Sequence, residues 1–287
     1  MLLGTIYSVG EVFEIMIKLK IGIVGCGAIG SSLARVITKD FSKQAELVAL
    51  YDLNSSKPKI LAKRIRKKNL VVFELGALIL RSDLVIEAAS SRCSWGIAKE
   101  VLSSGRDVMV MSVGGLIAKY SELTKLAKRH NCRVYIPSGA IAGIDALKAA
   151  KIGGVKKVTL TTLKNPLSFK GVKYIEERGI DLFKIKKDRV LFSGSAAEAV
   201  KLFPQNINVA AVLSLSGIGQ DKTRVKIIAS PKVNKNIHEI KVESQAGNIF
   251  TRTENILHPD NPKTSYLAVL SAIATLKQIL EPIRIGT

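Results

Sequence analysis

The stretch Ile21-Gly22-Ile23-Val24-Gly25-Cys26-Gly27-Ala28-Ile29-Gly30 decides the fold, because a short apolar run leads directly into a glycine turn and then into helical spacing. A GxGxxG match signifies dinucleotide binding only where it follows a strand and opens a helix, and this one does both. Gly25 permits the tight turn, Gly27 lets the backbone approach a pyrophosphate, and Gly30 allows close helix packing. The free amides of the helix start, around Ala28 and Ile29, then face the anion together with the helix dipole.

Outward from this turn, apolar β-branched runs recur at 46–51, 83–87, 107–111 and 133–136, separated by helical patterns such as 94–102 and 120–129. That rhythm is a doubly wound parallel sheet, so the fold class is α/β with an N-terminal Rossmann domain. Asp52 stands at the end of the second strand, about 20 residues beyond the last glycine, where an acid accepts hydrogen bonds from the adenosine ribose. This favours NAD, although the neighbouring cations Lys57 and Lys59 could meet the 2′-phosphate of NADP. Ala88, Ala89 and Ser90 end the strand at the switch point of the sheet, where small residues leave room for ribose and nicotinamide. Ser112 and the segment Pro137-Ser138-Gly139-Ala140 end the next two strands in the same manner, though each could equally be a polar turn.

After Gly139 the texture changes. Strand patterns at 155–163, 224–229, 238–244 and 249–254 dominate, with helices expected at 196–202 and 209–215, which gives an α+β domain built on an open, largely antiparallel sheet. A long apolar-striped helix is expected over 264–280, opened by Pro262, Thr264 and Ser265. The division is therefore 1–140 for the dinucleotide domain, completed by 262–287, and 141–261 for the substrate, catalytic and dimerisation domain.

The formal net charge of +21 admits a polyanion as partner. The densest basic run, Lys63 to Lys68, falls where a solvent-facing helix is expected, and no nucleic-acid motif accompanies it, so nucleic acid is not expected as a partner. Cys26, Cys93 and Cys132 form no CxxC pair and suggest neither a disulfide framework nor a metal site, which places the chain in the reducing cytoplasm. Residues 1–16 make a poor signal peptide and read as an added arm or an early start, and no apolar run is long enough for a membrane span. Three histidines are candidates for proton transfer: His130 at a helix end, His238 at the start of a strand, and His258 in a loop. His130 reads as a dipole-compensating surface residue, and the residues alone leave His238 and His258 open.

The chain resembles the archaeal and bacterial L-aspartate dehydrogenases over nearly its whole length after Lys18. The resemblance rests on the GCGAIG turn, Glu87-Ala88-Ala89-Ser90, the run 137–146 (PSGAIAGIDA), the run 203–210 (FPQNINVA), Asn236-Ile237-His238-Glu239-Ile240 and the run 261–266 (NPKTSY). It implies oxidation of L-aspartate to iminosuccinate, which is hydrolysed to oxaloacetate and ammonia or passed on towards quinolinate, and it implies His238 as the catalytic residue. It also implies nicotinamide contacts from Ala140 and Asn208, with Ala142 and Asn206 as first alternatives, and a homodimer that pairs the second-domain sheets. Two substrate carboxylates need cations or helix-end amides, for which Lys164, Asn165 and the helix start Lys263, Thr264 and Ser265 are the candidates, the last three being equally well a helix cap. The leading residues and the basic balance are not features that the family requires. Competing expectations are another two-domain Rossmann oxidoreductase, of the homoserine dehydrogenase or dihydrodipicolinate reductase kind, and a non-catalytic protein that senses nucleotides or binds nucleic acid.

Overall fold

The computed structural model describes residues 4–8, 11–15, 17–203, 208–259 and 261–286, with side chains for 17–203, 208–259, 261 and 264–286. A short antiparallel hairpin of β1 (Gly4–Ser8) and β2 (Glu11–Ile15) comes first. Ten elements then alternate: β3 (Leu19–Val24), α1 (Ala28–Lys39), β4 (Ala45–Tyr51), α2 (Ser56–Arg64), α3 (Leu75–Arg81), β5 (Leu84–Glu87), α4 (Ser94–Ser103), β6 (Asp107–Val110), α5 (Tyr120–Arg129) and β7 (Val134–Tyr135). All five strands from β3 to β7 are parallel, in the order β4-β3-β5-β6-β7. The chain leaves β3 towards β4 and then crosses to β5, so the switch point lies between β3 and β5. Residues Ile21 to Val24 and Leu84 to Glu87 are buried without alternation because helices cover both faces of the sheet. Gly30, Leu33, Ala34 and Ile37 of α1 recur at helical spacing and pack on Ile21 and Ile23.

The second half contains α6 (Ile144–Gly153), β8 (Val155–Lys164), α7 (Lys173–Glu177), β9 (Arg189–Ser195), α8 (Ala196–Leu202), α9 (Asn208–Ser216), β10 (Arg224–Ala229), β11 (Asn236–Ser244), β12 (Gly247–Asn255), β13 (Leu257–His258), β14 (Asn261–Ser265) and α10 (Tyr266–Leu280). Its sheet runs β12-β11-β8-β10-β9, with three antiparallel junctions and one parallel junction between β8 and β10. Helices α6, α8 and α9 and a 3-10 turn at Pro166–Phe169 cover one face, around a core of Val158, Leu160, Phe169, Phe192, Phe203 and Leu213. Phe203 is the hub, with ring contacts to Phe169, Tyr174 and Phe192.

Sequence periodicity did not find α6, β9, β13 or β14, and it began the last helix too early. Residues 261–265 are extended, Leu257 pairs with Ser265, and the helix starts only at Tyr266, whose N–H donates to the carbonyl of Ile256 at 2.9 Å. Asn261 precedes a proline, which disfavours helical backbone at that point. Helix α10 packs on α1, and its Ala272 and Leu276 lie in the same apolar cluster as Ile21, Leu33 and Ile37.

Candidate active site

The glycine turn is shaped by what its backbone forbids. Gly25 has φ +94°, and a Cβ there would lie 2.5 Å from the carbonyl oxygen of Ala88, at the end of β5. A Cβ on Gly30 would run into the carbonyl oxygen of Gly25. A Cβ on Gly27, by contrast, would meet nothing within 4 Å, so the turn is closed on its protein side and open on the other. Such a surface, ahead of the first turn of α1, fits a pyrophosphate. Asp52 follows β4, and its carboxylate accepts the N–H of Cys26 and the N–H of Asn54, each at 2.9 Å, with Lys57 Nζ at 3.8 Å. Lys59 lies instead over the Phe73 ring. Burial and the Asp52 charge push the Cys26 thiol up to about 12, so it stays protonated behind the turn.

The next two strand ends are joined by Glu87, whose role no local sequence pattern announces. Its fully buried carboxylate accepts the N–H of Ala89 at 2.8 Å and of Ser112 at 3.0 Å. Burial raises its pKa while these bonds oppose the rise. Ser90 lies at the exposed tip beside Cys93, its Oγ 3.3 Å from the thiol, and Ala88 is half-buried. Beyond Ser112, the N–H of Gly114 donates to Asn208 Oδ1 at 3.0 Å, which ties the start of α9 to this rim. Ala140 is buried, and its carbonyl accepts from Thr253 Oγ1 at 3.0 Å and Asn255 Nδ2 at 3.1 Å. Ala142 lies further out against Thr251, and Asn206 falls outside the described residues.

Between the two halves is a cavity of about 150 Å³, bounded by Ile29, Met111, Ser138 and Ala140 on one side and by Lys164, Asn208, Asn236, His238, Thr264 and Ser265 on the other. His238 is 3% exposed, and its Nδ1 lies 3.0 Å from Thr162 Oγ1. Burial, then the nearby Lys164 charge, depress its pKa to about 3, so the imidazole is neutral. Burial alone brings Lys164 down to about 8, which leaves it largely charged at neutral pH. Asn236 donates to Ser265 Oγ at 3.2 Å and so links the histidine strand to the start of α10. Thr264 Oγ1 accepts from Asn261 at 3.1 Å.

The fold thus brings His238, Lys164, Thr264, Ser265, Ala140 and Asn208 together with Ile29 of the glycine turn. It does not bring Asn165 there. That side chain accepts the N–H of Leu167 and donates to the carbonyl of Val233, capping the Pro166–Phe169 turn. The Lys263 side chain lies outside the described residues. His258 is buried edge-on against Tyr266, and His130 caps α5. Residues 63, 64 and 66–68 of the basic run are exposed, at and just beyond the end of α2. Among the described residues no group of three or more His, Cys, Asp or Glu could hold a metal, and no helix is long and apolar enough to cross a membrane.

A glycine cradle for a dinucleotide, whose Ile29 also lines a small cavity holding a buried histidine and lysine, defines a two-domain nicotinamide-dependent oxidoreductase. Residues 145–279 match the family model described as aspartate dehydrogenase, C-terminal, and residues 25–137 match the homoserine dehydrogenase NAD binding domain. With 49% identity over 271 residues to the L-aspartate dehydrogenase of Methanosarcina mazei, covering 94% of this chain and 100% of the relative, the chain belongs to the L-aspartate dehydrogenase family. The enzyme of the same description from Methanocella arvoryzae is 44% identical over 93% of this chain and 99% of its own length. The crystal structure of aspartate dehydrogenase from Thermotoga maritima superposes with a TM-score of 0.69 at 28% identity, covering 94% of this chain and 100% of that one.

Proposed function

We propose that the protein oxidises L-aspartate at Cα with NAD as hydride acceptor, NADP being the alternative, and gives iminosuccinate, which water converts to oxaloacetate and ammonia. The observation that carries this reading is the burial of His238 and Lys164 in one cavity that Ile29, beside Gly30 of the glycine turn, also lines. Gly25, Gly27, Gly30 and the amides of Ala28 and Ile29 would hold the pyrophosphate, and Asp52 the ribose. Ala88, Ala89, Ser90, Ser112, Ala140 and Asn208 would frame the nicotinamide end. When bound, the nicotinamide supplies the hydride acceptor.

The chain's own residues handle the charge and the protons. Lys164, Thr264 and Ser265, which line one cavity, would hold the substrate carboxylates. His238 removes the amine proton that must leave as the C=N bond forms, and returns one in the reverse direction. A dicarboxylate seated against Lys164 cancels the second cause of the low histidine pKa, so the imidazole gains proton affinity when substrate is in place. We further propose that residues 1–140 with 262–287 carry the cofactor and 141–261 the substrate chemistry. The active form is a cytoplasmic homodimer that hands iminosuccinate to quinolinate synthesis, with no nucleic-acid or membrane partner.

The test is reduced-cofactor formation with L-aspartate set against L-glutamate, L-homoserine and D-aspartate, for wild type and His238→Ala. Aspartate-specific turnover that drops by about 10²–10⁴-fold in the variant, with NADH affinity unchanged, is expected. Turnover on homoserine alone, or a fully active variant, would remove this reading.

A further inference from the structure

Strands β8 and β11 face the interior in matched rungs: Val158 opposite Val242, Leu160 opposite Ile240, then Thr162 opposite His238. The first two rungs are apolar core. The third is polar and equally enclosed, with Thr162 5% and His238 3% exposed. Valine has nearly the shape of threonine and would continue the apolar face, so the hydroxyl is what this rung adds. A buried hydroxyl is costly unless it is hydrogen-bonded, and Thr162 Oγ1 meets that condition at His238 Nδ1, 3.0 Å away.

We infer that Thr162 is a positioning residue for the reaction, its hydroxyl accepting the Nδ1–H of His238 and so reserving Nε2, with its lone pair, for the substrate nitrogen. Free imidazole in water would set its own tautomer, whereas a partner at one nitrogen dictates the state of the other. When Nε2 takes the amine proton, the ring becomes an imidazolium whose Nδ1–H still donates to Oγ1. When Nε2 returns that proton, the same bond persists. No partner is exchanged in either direction. A carboxylate at this position would also hold Nδ1–H, but it would favour the charged ring before substrate arrived. The neutral hydroxyl orients the ring without charging it.

This inference rests on the assignment of His238 as the catalytic residue, and a double-mutant cycle separates the two. Thr162→Val should lower kcat for aspartate about 10- to 100-fold, a part of what a proton-transfer residue supplies, while KM for aspartate and the NADH affinity stay within about 3-fold. Thr162→Ser, which keeps the hydroxyl, should remain within about 3-fold of wild type. Added to His238→Ala, Thr162→Val should cost nothing more, because its effect passes through the histidine. The ¹⁵N resonances of His238 in the wild-type enzyme should show a protonated Nδ1 and an unprotonated Nε2, a readout that needs no variant to fold. A wild-type kcat in Thr162→Val, a further loss in the His238→Ala background, or an unprotonated Nδ1 would overturn the inference. A fully active His238→Ala would instead overturn the assignment beneath it.

Discussion

The glycine turn and the cavity that Ile29 shares with it are built by opposite means, as two walls of one site. On the glycine turn, function comes from missing side chains: Gly25 and Gly30 have no room for a Cβ, and Gly27 has room that must stay empty. On the inner face of the second sheet, function comes from polar side chains carried into a core, where each must have a partner, as His238 has in Thr162 and Asn236 has in Ser265. The first wall recognises a common cofactor by shape and backbone amides, which any sequence with that turn can supply. On the proposed reading the second wall chooses the substrate, with buried charge whose strength and pH dependence are set by neighbours.

The sharpest way to break this contrast is Gly27→Val. Because the added atoms enter open space, Tm should stay within about 2 °C, yet NADH affinity should fall by about 100-fold or more as the approach of a pyrophosphate is blocked. Equal loss of stability and affinity would mean that the turn serves packing rather than binding.

Lys164→Met tests the other wall. We expect succinate, a dicarboxylate without an amine, to bind the NADH-loaded variant about 10- to 30-fold more weakly at pH 7, read by fluorescence titration. In the wild type the same affinity should decline as pH rises through about 8, since a lysine with its pKa at that value loses its charge on the alkaline side while His238, near 3, stays neutral throughout. A flat wild-type profile from pH 7 to pH 9.5 would remove Lys164 from the carboxylate site.

The smallest effect belongs to Asp52. Asp52→Ser removes one negative charge near the ribose and leaves Lys57, so the ratio of kcat/KM for NADP to that for NAD should rise about 10-fold. An unchanged ratio would mean that the carboxylate serves only the amides of Cys26 and Asn54.

What could be read in the sequence follows the same division. The cradle was legible because its parts are contiguous: strand, glycines and helix occupy one short stretch, and Asp52 follows at a fixed distance. The strands of the parallel sheet were legible because burial on both faces makes them continuous apolar runs, as in β3 and β5. The histidine wall was legible only by resemblance, because the partner of His238 lies 76 residues away and is fixed by strand register rather than by spacing. Asn165 illustrates the reverse, since a polar residue next to a buried lysine proved to be a local cap, a use that Asn-Pro favours on its own. Helix α6 carries a sequence signal of its own, with Asp145 in its first turn and Gly154, at φ +102°, just past its end. Strand β14 had only the proline after Asn261 against a helix, and its pairing with β13 depends on contacts that composition does not show.

Helix α10 gives the chain a schedule. Ala272 and Leu276 fill the core beside α1, and Ser271 Oγ accepts the N–H of Gly139, 132 residues earlier, so the dinucleotide domain waits for residues made long after its sheet. During synthesis the cofactor half would emerge with part of its apolar surface uncovered until α10 has left the ribosome, and only then would the domain close. Released chains truncated before Tyr266 should therefore be held by chaperones and cleaved readily by protease, whereas released chains that include the whole of α10 should be neither.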